Sequence, residues 1–262
     1  MSPVSFDLDR FLEELGAWAA VSATEPAVVR YGPHPAHEAE LRLPEGDGPH
    51  PVALLVHGGF WRARFDRSTL AALAVDLARR GFATVNVEYR RVGADGGVPA
   101  TLEDVEAAVD ALARWDAPLD RSRIVALGHS AGGHLALWLA GTGKVAAAVS
   151  LAGVCDLAAA AEDGLGQGAA VELAGGLPAE RPEAYALADP LRRLPTGVPQ
   201  LLVHGDADDR VPIEQSRRYA RAARSAGDRC LLLELRGVGH FELIDPRGEA
   251  WPEVAERLPS LR

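Results

Sequence analysis

The sequence predicts an α/β fold in which a mostly parallel central sheet carries helices on both faces. From residue 51 onwards, short apolar runs alternate with segments of helical periodicity. Continuously apolar runs are typical of strands buried on both faces, and their alternation with helices predicts a parallel sheet. In addition, the apolar run at residues 124–127 leads directly into Gly128-His129-Ser130-Ala131-Gly132 and a second apolar run with helical spacing. That order predicts a strand, a tight turn and a helix.

The segments before this alternation have a different character. Residues 5–20 predict an amphipathic helix, and residues 27–31 and 36–43 predict two short strands. The alternation of polar and apolar residues in the second is typical of antiparallel edge strands. The later strands are predicted at residues 51–56, 82–87, 123–127, 145–151, 200–204 and 230–235. The later helices are predicted at residues 68–80, 99–115, 131–140, 213–226 and 246–258.

Residues 153–196 interrupt this alternation with clusters of glycine, alanine and proline. We expect residues 155–195 to form a small cap insertion over the carboxyl ends of the strands, where loops vary without disturbing the core. No linker or internal repeat divides the chain, so a single domain is predicted over residues 1–262.

The composition limits the partners that we expect. The 262 residues carry a formal net charge of −10, which argues against a nucleic-acid partner or an anionic membrane surface. The expected partner is a small-molecule ester or amide, and a homodimer is left open. Neither a phosphate-cradling nor a dinucleotide-binding glycine motif follows the first strand, so no cofactor is predicted. The three aspartates at residues 206–209 lack the full spacing of a calcium loop, so no metal site is predicted.

The two cysteines and the N-terminus favour a reducing compartment. Cys155 and Cys230 lie far apart in a sequence without zinc-binding spacing, which predicts buried free thiols. Met1–Asp7 contains no basic segment followed by an apolar core, and no apolar run has the length needed to span a bilayer. A cytoplasmic protein is therefore predicted.

Ser130 is the candidate nucleophile, because a serine between a buried strand and a helix can be held exposed on a strained turn. An alcohol needs a base within hydrogen-bonding reach. His240, in a glycine-rich loop after the final predicted strand, is the best candidate. The remaining histidines receive other expectations. We expect His129 to point away from Ser130, His134 to be packed in its helix, and His204 to hold the following loop. We expect the N-terminal histidines His34, His37 and His50 to be solvated.

A carboxylate should orient the histidine and stabilise its charged form. Asp208 is the first candidate among the aspartates that follow the strand at residues 200–204, and Asp206 is the alternative. We expect Asp209 to pair with Arg210 or to cap the next helix. The chain order Ser130, Asp208, His240 is the order expected of a nucleophile, acid and base in an α/β-hydrolase.

Attack on a carbonyl creates an oxyanion that preorganised amide groups can stabilise. One candidate donor is the N–H of Ala131 at the start of a helix, where backbone donors are unpaired. The others are the N–H groups of Gly59 and Phe60, in a glycine turn directly after the strand at residues 51–56. We expect Phe60, Trp61, Leu157 and Phe241 to form the walls of an apolar pocket, although aromatic residues also fill cores.

Several motifs in order resemble one family across residues 27–258. They are His57-Gly58-Gly59-Phe60-Trp61, Glu88-Tyr89-Arg90, Gly128–Gly133, His204–Asp208 and Gly239-His240. This set is similar to the α/β-hydrolase fold, in the esterase and lipase branch that includes arylformamidase and dienelactone-hydrolase-like or prolyl-oligopeptidase-like enzymes. The resemblance implies a metal-independent serine hydrolase with Ser130 as nucleophile, His240 as base and Asp208 as acid.

Within that branch, two features point to different substrates. The His57–Trp61 motif is similar to arylformamidases, which implies N-formyl aryl amines such as N-formylkynurenine. Residues 173–178 and 185–190 resemble general carboxylesterases or small peptidase-like hydrolases instead. Transfer of the acyl group to an acceptor other than water also stays open, as does a ligand-binding module on a hydrolase scaffold.

Overall fold

The strands of the computed structural model, which describes residues 6–22 and 25–261, form one sheet. They are β1 (Ala27–Arg30), β2 (Glu38–Arg42), β3 (His50–Val56), β4 (Ala83–Val87), β5 (Leu119–His129), β6 (Ala147–Leu151), β7 (Gln200–Gly205) and β8 (Cys230–Leu235). In these described ranges the sheet has eight strands in the order β1-β2-β4-β3-β5-β6-β7-β8. All pairs from β4 to β8 are parallel, as predicted.

The two N-terminal strands pair antiparallel, with β1 against β2 and β2 against β4. The predicted antiparallel pairing is therefore confirmed. The prediction that both are edge strands is wrong for β2, which lies between β1 and β4. The alternation of polar and apolar residues in β2 has a different cause. Ala39 and Leu41 face the core, whereas the alternate residues Glu38 and Glu40 both contact Arg67.

In the described ranges, six α-helices lie where the periodicity predicts them, with shifted ends, and three more lie within residues 153–196, where no helix was predicted. They are α1 (Leu8–Ser22), α2 (Ala71–Arg79), α3 (Ala100–Ala111), α4 (Ala131–Ala140), α5 (Leu157–Glu162), α6 (Leu165–Ala174), α7 (Pro182–Ala188), α8 (Glu214–Ser225) and α9 (Ala250–Ala255). The predicted first helix began at Ser5, which is outside the described residues. The predicted helix at 246–258 is shortened to α9 because the carboxylate of Asp245 accepts the N–H of Arg247, a local bond that competes with a helical start.

The core has an apolar layer on each face of the sheet, so the predicted architecture is confirmed. Alternate residues of β3 belong to different layers: Leu54 packs with α3 and α4, whereas Leu55 packs with α1, α2 and α9. The predicted cap segment contains α5, α6 and α7, whose buried residues join the first layer. Cys155 and Cys230 are buried free thiols, as predicted.

The loops that follow β3, β5, β7 and β8 carry the predicted chemical groups. Because the carboxyl ends of parallel strands meet at one edge, these four loops are brought to the same end of the sheet. Among the described residues, none of the helices combines the length and apolarity that crossing a membrane requires.

Candidate active site

Ser130 lies between the last residue of β5 and the first residue of α4. Its φ of 57° and ψ of −119° lie outside the regions that residues with a side chain usually adopt. The turn is tight enough that a side chain on Gly132 would overlap the carbonyl oxygen of Val56 in β3. The Ser130 N–H donates to the carbonyl of Leu151 at the end of β6, at 2.8 Å. The predicted strand, turn and helix are all present, and Ser130 lines a cavity.

His240 and Asp208 meet at this cavity although 32 positions separate them in the sequence. The Nδ1–H of His240 donates to Oδ2 of Asp208 at 2.7 Å, because a carboxylate can only accept. His240 Nε2 is therefore left as the ring nitrogen that can take a proton. His240 and Ser130 both line the cavity.

Asp208 is held as an ionised acceptor by several donors. Its Oδ1 accepts the N–H groups of Arg210 and Val211, each at 2.8 Å. Burial by itself would raise the pKa of Asp208, but hydrogen bonds from His204 and His240 and the charge of His240 hold the pKa well below its ordinary value. His204 also contacts the Val211 carbonyl at 2.9 Å, so it holds this loop as predicted.

The other two aspartates of this loop lie elsewhere. Asp206 Oδ1 accepts the N–H of Gly237 at 2.6 Å, which ties the β7 loop to the β8 loop. Asp209 is exposed and lies 3.3 Å from the Nε of Arg210. The structure therefore brings Asp208 to His240, rather than the alternative Asp206.

His129, the last residue of β5, holds His240 from the strand that precedes Ser130. Its Nε2–H donates to the backbone carbonyl of His240 at 2.9 Å, and the two rings lie 4.5 Å apart. Burial, together with the charge that His240 can carry, lowers the pKa of His129 to about 3. His129 is therefore neutral and holds its proton on the nitrogen that donates.

The glycine turn after β3 has an unusual backbone. Gly59, Phe60 and Trp61 have φ values of 105°, 54° and 56°, and Gly59 and Phe60 line the cavity beside Ser130. Ala131 is the first residue of α4, so its N–H has no acceptor within the helix. All three predicted donors therefore lie on segments next to Ser130.

The cavity has a volume of about 420 Å³. Phe60 and Phe241, two of the predicted wall residues, line it. The pocket prediction is wrong for Trp61 and Leu157, which are buried in the core and do not line the cavity. Trp61 is 1% exposed and packs edge-on against His134, with ring centroids 5.1 Å apart. Trp61 is therefore a core residue, as many aromatic residues are.

Part of the cavity wall comes from residues that the sequence did not predict there. Leu8 and Leu12 of α1 line the cavity, and Phe6 just before α1 stacks on Phe241 at 5.7 Å. The apolar stripe of α1 was visible in the sequence, but nothing local indicated where the helix would dock. Gly166 and Gln167 of α6 line the cavity from the predicted cap segment.

Three arginines line the cavity, and each has a carboxylate partner. Arg62 makes two hydrogen bonds to Glu172 on α6, at 2.7 and 2.9 Å. Arg64 lies 3.2 Å from Asp9 on α1, and Arg210 lies beside Asp209. These pairs leave no arginine of the wall without a countercharge.

The N-terminal histidines are less solvated than predicted. His37 lies 2.8 Å from Asp104, and His50 is buried at the start of β3. His34 is partly exposed and lies beside Asp95. His134 is packed within its helix as predicted, and its Nε2–H donates to the carbonyl of Ala188 at 2.9 Å.

Comparison with protein families identifies the group to which the chain belongs. Residues 40–222, well over half of the chain, match the family described as BD-FAE. The chain belongs to the BD-FAE family. The match includes Ser130 and Asp208 and ends before His240.

One relative of this BD-FAE protein is named as an esterase. Esterase LipC of Mycobacterium tuberculosis (strain ATCC 25618 / H37Rv) is 30% identical over 247 residues, which cover 83% of this chain and 60% of LipC. The chain thus spans less than two thirds of the length of that relative.

Solved structures confirm the fold prediction. A truncated form of a carbohydrate esterase from gut microbiota superposes with a TM-score of 0.79 at 23% identity, covering 91% of this chain and 96% of the other. The thermophilic esterase Est2 of Thermogutta terrifontis, solved with butyrate bound, superposes with a TM-score of 0.73 at 22% identity, covering 90% and 92%. This BD-FAE member has the α/β-hydrolase fold.

Proposed function

We propose that this BD-FAE family member is a carboxylic ester hydrolase that works through an acyl-enzyme on Ser130. One observation carries the proposal: the strained serine of the β5–α4 turn shares its cavity with a histidine whose Nδ1–H is bound by a buried carboxylate. That combination is what activation of an alcohol requires. The esterase name of LipC supports the same activity.

The first half of the reaction forms the acyl-enzyme. The Ser130 hydroxyl attacks the ester carbonyl while His240 Nε2 takes its proton. Asp208 stabilises the imidazolium that results, since it accepts from Nδ1 and stays ionised. When the tetrahedral intermediate collapses, the C–O bond to the alcohol breaks and His240 returns the proton to the departing alcohol oxygen.

The second half repeats these steps with water. Water loses a proton to His240 and attacks the acyl carbon, and the bond to Ser130 Oγ then breaks. The carboxylic acid leaves and Ser130 regains its proton. In both halves the negative oxygen is stabilised by the N–H of Ala131 and by an N–H of the Gly59–Phe60 turn.

The cavity favours small, uncharged substrates. Its volume of about 420 Å³ lies at the lower end of ligand pockets. Phe60, Phe241 and Leu12 offer apolar surface for an acyl or aryl group, and the arginines of the wall are already paired. The butyrate held by Est2 is an acyl group of suitable size. Activated amides such as N-formyl aryl amines fit the same description.

The proposal is tested with the Ser130→Ala variant and p-nitrophenyl acetate or butyrate. We expect turnover to fall about 10⁶-fold, because the nucleophile is removed. Ser225→Ala, an exposed serine at the end of α8, is the matched control and should retain full activity. A fluorophosphonate probe should label the wild type on Ser130 only. Unchanged turnover in Ser130→Ala would overturn the mechanism.

A substrate panel then separates the alternatives. p-Nitrophenyl esters of increasing acyl length, N-formylkynurenine and an aminoacyl anilide are compared by kcat/KM. We expect short esters to be the best substrates. Preference for N-formylkynurenine would assign an arylformamidase, and small-molecule binding without labelling or turnover would assign a binding module.

A further inference from the structure

His57 lies behind the oxyanion turn, outside the triad, and is fully buried. Its Nδ1 is 2.8 Å from the carbonyl oxygen of Gly58, and its Nε2 is 3.0 Å from Oε1 of Glu88. A carbonyl oxygen can only accept a hydrogen bond, so Nδ1 must carry a proton. Whether Nε2 also carries one depends on the state of Glu88.

Glu88 is surrounded by donors. Oε1 accepts the N–H of Tyr89 at 3.1 Å, and Oε2 accepts the N–H of Arg67 at 3.1 Å. The Nε of Arg91 lies 3.3 Å from Oε1. A protonated carboxyl group would turn its own O–H against one of these donors, so Glu88 is a carboxylate. Both ring nitrogens of His57 therefore face oxygen acceptors, an arrangement that a doubly protonated ring would satisfy.

The surrounding charges agree with a buried cation and anion in contact. The guanidinium of Arg67 approaches Glu88 to 3.9 Å, and it also contacts Glu38 and Glu40. Asp66 lies at the start of the next 3₁₀ turn, and its charge is also felt by His57. With Arg91, this group holds three cations and four carboxylates, so the His57 charge is balanced.

The contact to Gly58 sets the direction of the next amide. In a trans peptide the C=O and the following N–H point in opposite directions. When His57 holds the Gly58 carbonyl on the buried side, the N–H of Gly59 points away from His57. Gly59 lines the cavity, and an added Cβ on Gly58 would lie 3.0 Å from the Cβ of Ser130. Gly58 therefore lies against Ser130, and Gly59 lines the cavity that Ser130 shares.

Tyr89 fixes the same turn from a third direction. Its hydroxyl donates to the His57 carbonyl at 2.8 Å, and its ring stacks on the imidazole with centroids 4.3 Å apart. The imidazole thus has fixed partners at both nitrogens and a ring against one face. It can hold the Gly58–Gly59 peptide in one orientation.

We propose that the His57–Glu88 ion pair is a positioning device for the oxyanion turn. Glu88 keeps His57 doubly protonated, and the Nδ1–H of His57 locks the Gly58–Gly59 peptide with its N–H aimed at the developing oxyanion. The proposal rests on the ester hydrolysis proposed at Ser130. His57 and Glu88 do not touch the substrate, so they act on the transition state through the peptide that they orient.

The test is the Glu88→Gln variant, which keeps the shape of the side chain and removes its charge. The N–H groups of Tyr89 and Arg91 favour the amide oxygen of the new side chain at the position of Oε1, facing His57. A neutral His57 then has one N–H for two acceptors, so the Gly58 carbonyl is released in part of the molecules. We expect kcat to fall about 10–100-fold while KM is unchanged. This decrease is smaller than the one expected when an oxyanion donor is removed completely. The affinity of a boronic acid, which forms a tetrahedral adduct on serine, should fall by the same factor.

Glu38→Gln is the matched control. It removes a carboxylate from the same charge group but does not contact His57. It should keep the wild-type kcat and boronic acid affinity. A folded Glu88→Gln variant with unchanged kcat, or with KM and kcat altered equally in both variants, would overturn the positioning role.

The protonation of His57 can also be measured without any substrate turnover. The ¹⁵N chemical shifts of the His57 ring in the wild type at about pH 8 distinguish an imidazolium from a neutral ring. We expect two protonated nitrogens in the wild type and one in Glu88→Gln. A neutral His57 in the wild type would overturn the inference even if the enzyme hydrolyses esters. An imidazolium in a protein without turnover would count only against the proposed function.

Discussion

The floor and the cover of the cavity are held by different kinds of contact. The floor consists of the loops after β3, β5, β7 and β8, and its polar groups are joined by buried hydrogen bonds such as His240–Asp208 at 2.7 Å. The cover consists of α1 and α6. It is tied to the floor by Arg64–Asp9, whose side chains are 69% and 79% exposed, and by the partly exposed Arg62–Glu172 pair.

We expect the floor to determine the rate of the reaction and the cover to determine which substrates bind. Buried hydrogen bonds to charged groups are costly to break, whereas exposed ion pairs contribute little. Substitutions in the floor should therefore change the rate of the reaction, and substitutions in the cover should change which substrates enter. Four predictions, from the largest effect to the smallest, test this division.

The largest effect is expected for Asp208→Asn in the floor. The amide can no longer stabilise the imidazolium of His240, and it disturbs the tautomer of the ring. We expect kcat for p-nitrophenyl butyrate to fall about 10³–10⁴-fold. Asp206→Asn, two residues earlier in the same loop, should change kcat little. If the two variants lose activity equally, the acid has been assigned wrongly.

The second prediction concerns acid stability. Burial lowers the pKa of His134 to about 4 and is the largest cause that lowers the pKa of His129 to about 3. Below the unfolded pKa near 6.5, the unfolded chain binds protons that the folded chain does not. The free energy of unfolding should therefore decrease as the pH is lowered below about 6.5. The decrease should be up to about 1.4 kcal/mol per pH unit for each histidine.

Urea unfolding between pH 7.5 and 5 measures this dependence. His134→Gln removes one titrating ring while its amide can still donate to the Ala188 carbonyl. Its slope should be smaller than that of the wild type by the share of one histidine. Equal slopes in the two proteins would show that His134 is not buried in its neutral form.

The third prediction concerns the cover. Leu12→Ala removes apolar surface from the cavity wall without touching the floor. We expect KM for p-nitrophenyl butyrate to rise about 3–10-fold while kcat stays near the wild-type value. Val21→Ala, an exposed position on the same helix, should leave both constants unchanged. A fall in kcat alone would mean that α1 positions the catalytic groups.

The smallest effect is expected for Asp9→Asn, which breaks the ion pair with Arg64. Exposed pairs contribute on the order of 0.5 kcal/mol, and salt screens them. The free energy of unfolding should change by no more than that, and the difference should vanish in concentrated salt. A loss that persists in salt would show that α1 depends on this pair for docking.

The floor could be predicted from the sequence because its signals are local. Gly128 and Gly132 around Ser130 indicate a turn with no room for side chains, and Asp208 and His240 each follow a recognisable strand. Parallel strands bring their carboxyl ends together, so these local signals were enough to predict a meeting of distant residues. The prediction of Asp208 rather than Asp206 as the acid also rested on the local sequence of one loop.

The cover could not be predicted because its position depends on packing between distant segments. The stripe of α1 identifies a helix, but not the sheet face on which it docks or its contact with Phe241. Trp61 illustrates the same difficulty over a shorter distance. Phe60 and Trp61 share a left-handed backbone, yet one lines the cavity and the other packs on His134. No periodicity distinguishes two neighbours in such a turn.

The bond from the His129 ring to the His240 carbonyl has a mechanical consequence. His129 is the residue directly before Ser130, so the segment that carries the serine also binds the loop of His240, the base of the proposed mechanism. This bond ties together two segments that lie 111 positions apart in the sequence, and it therefore bears on the distance over which the proposed proton transfer would occur.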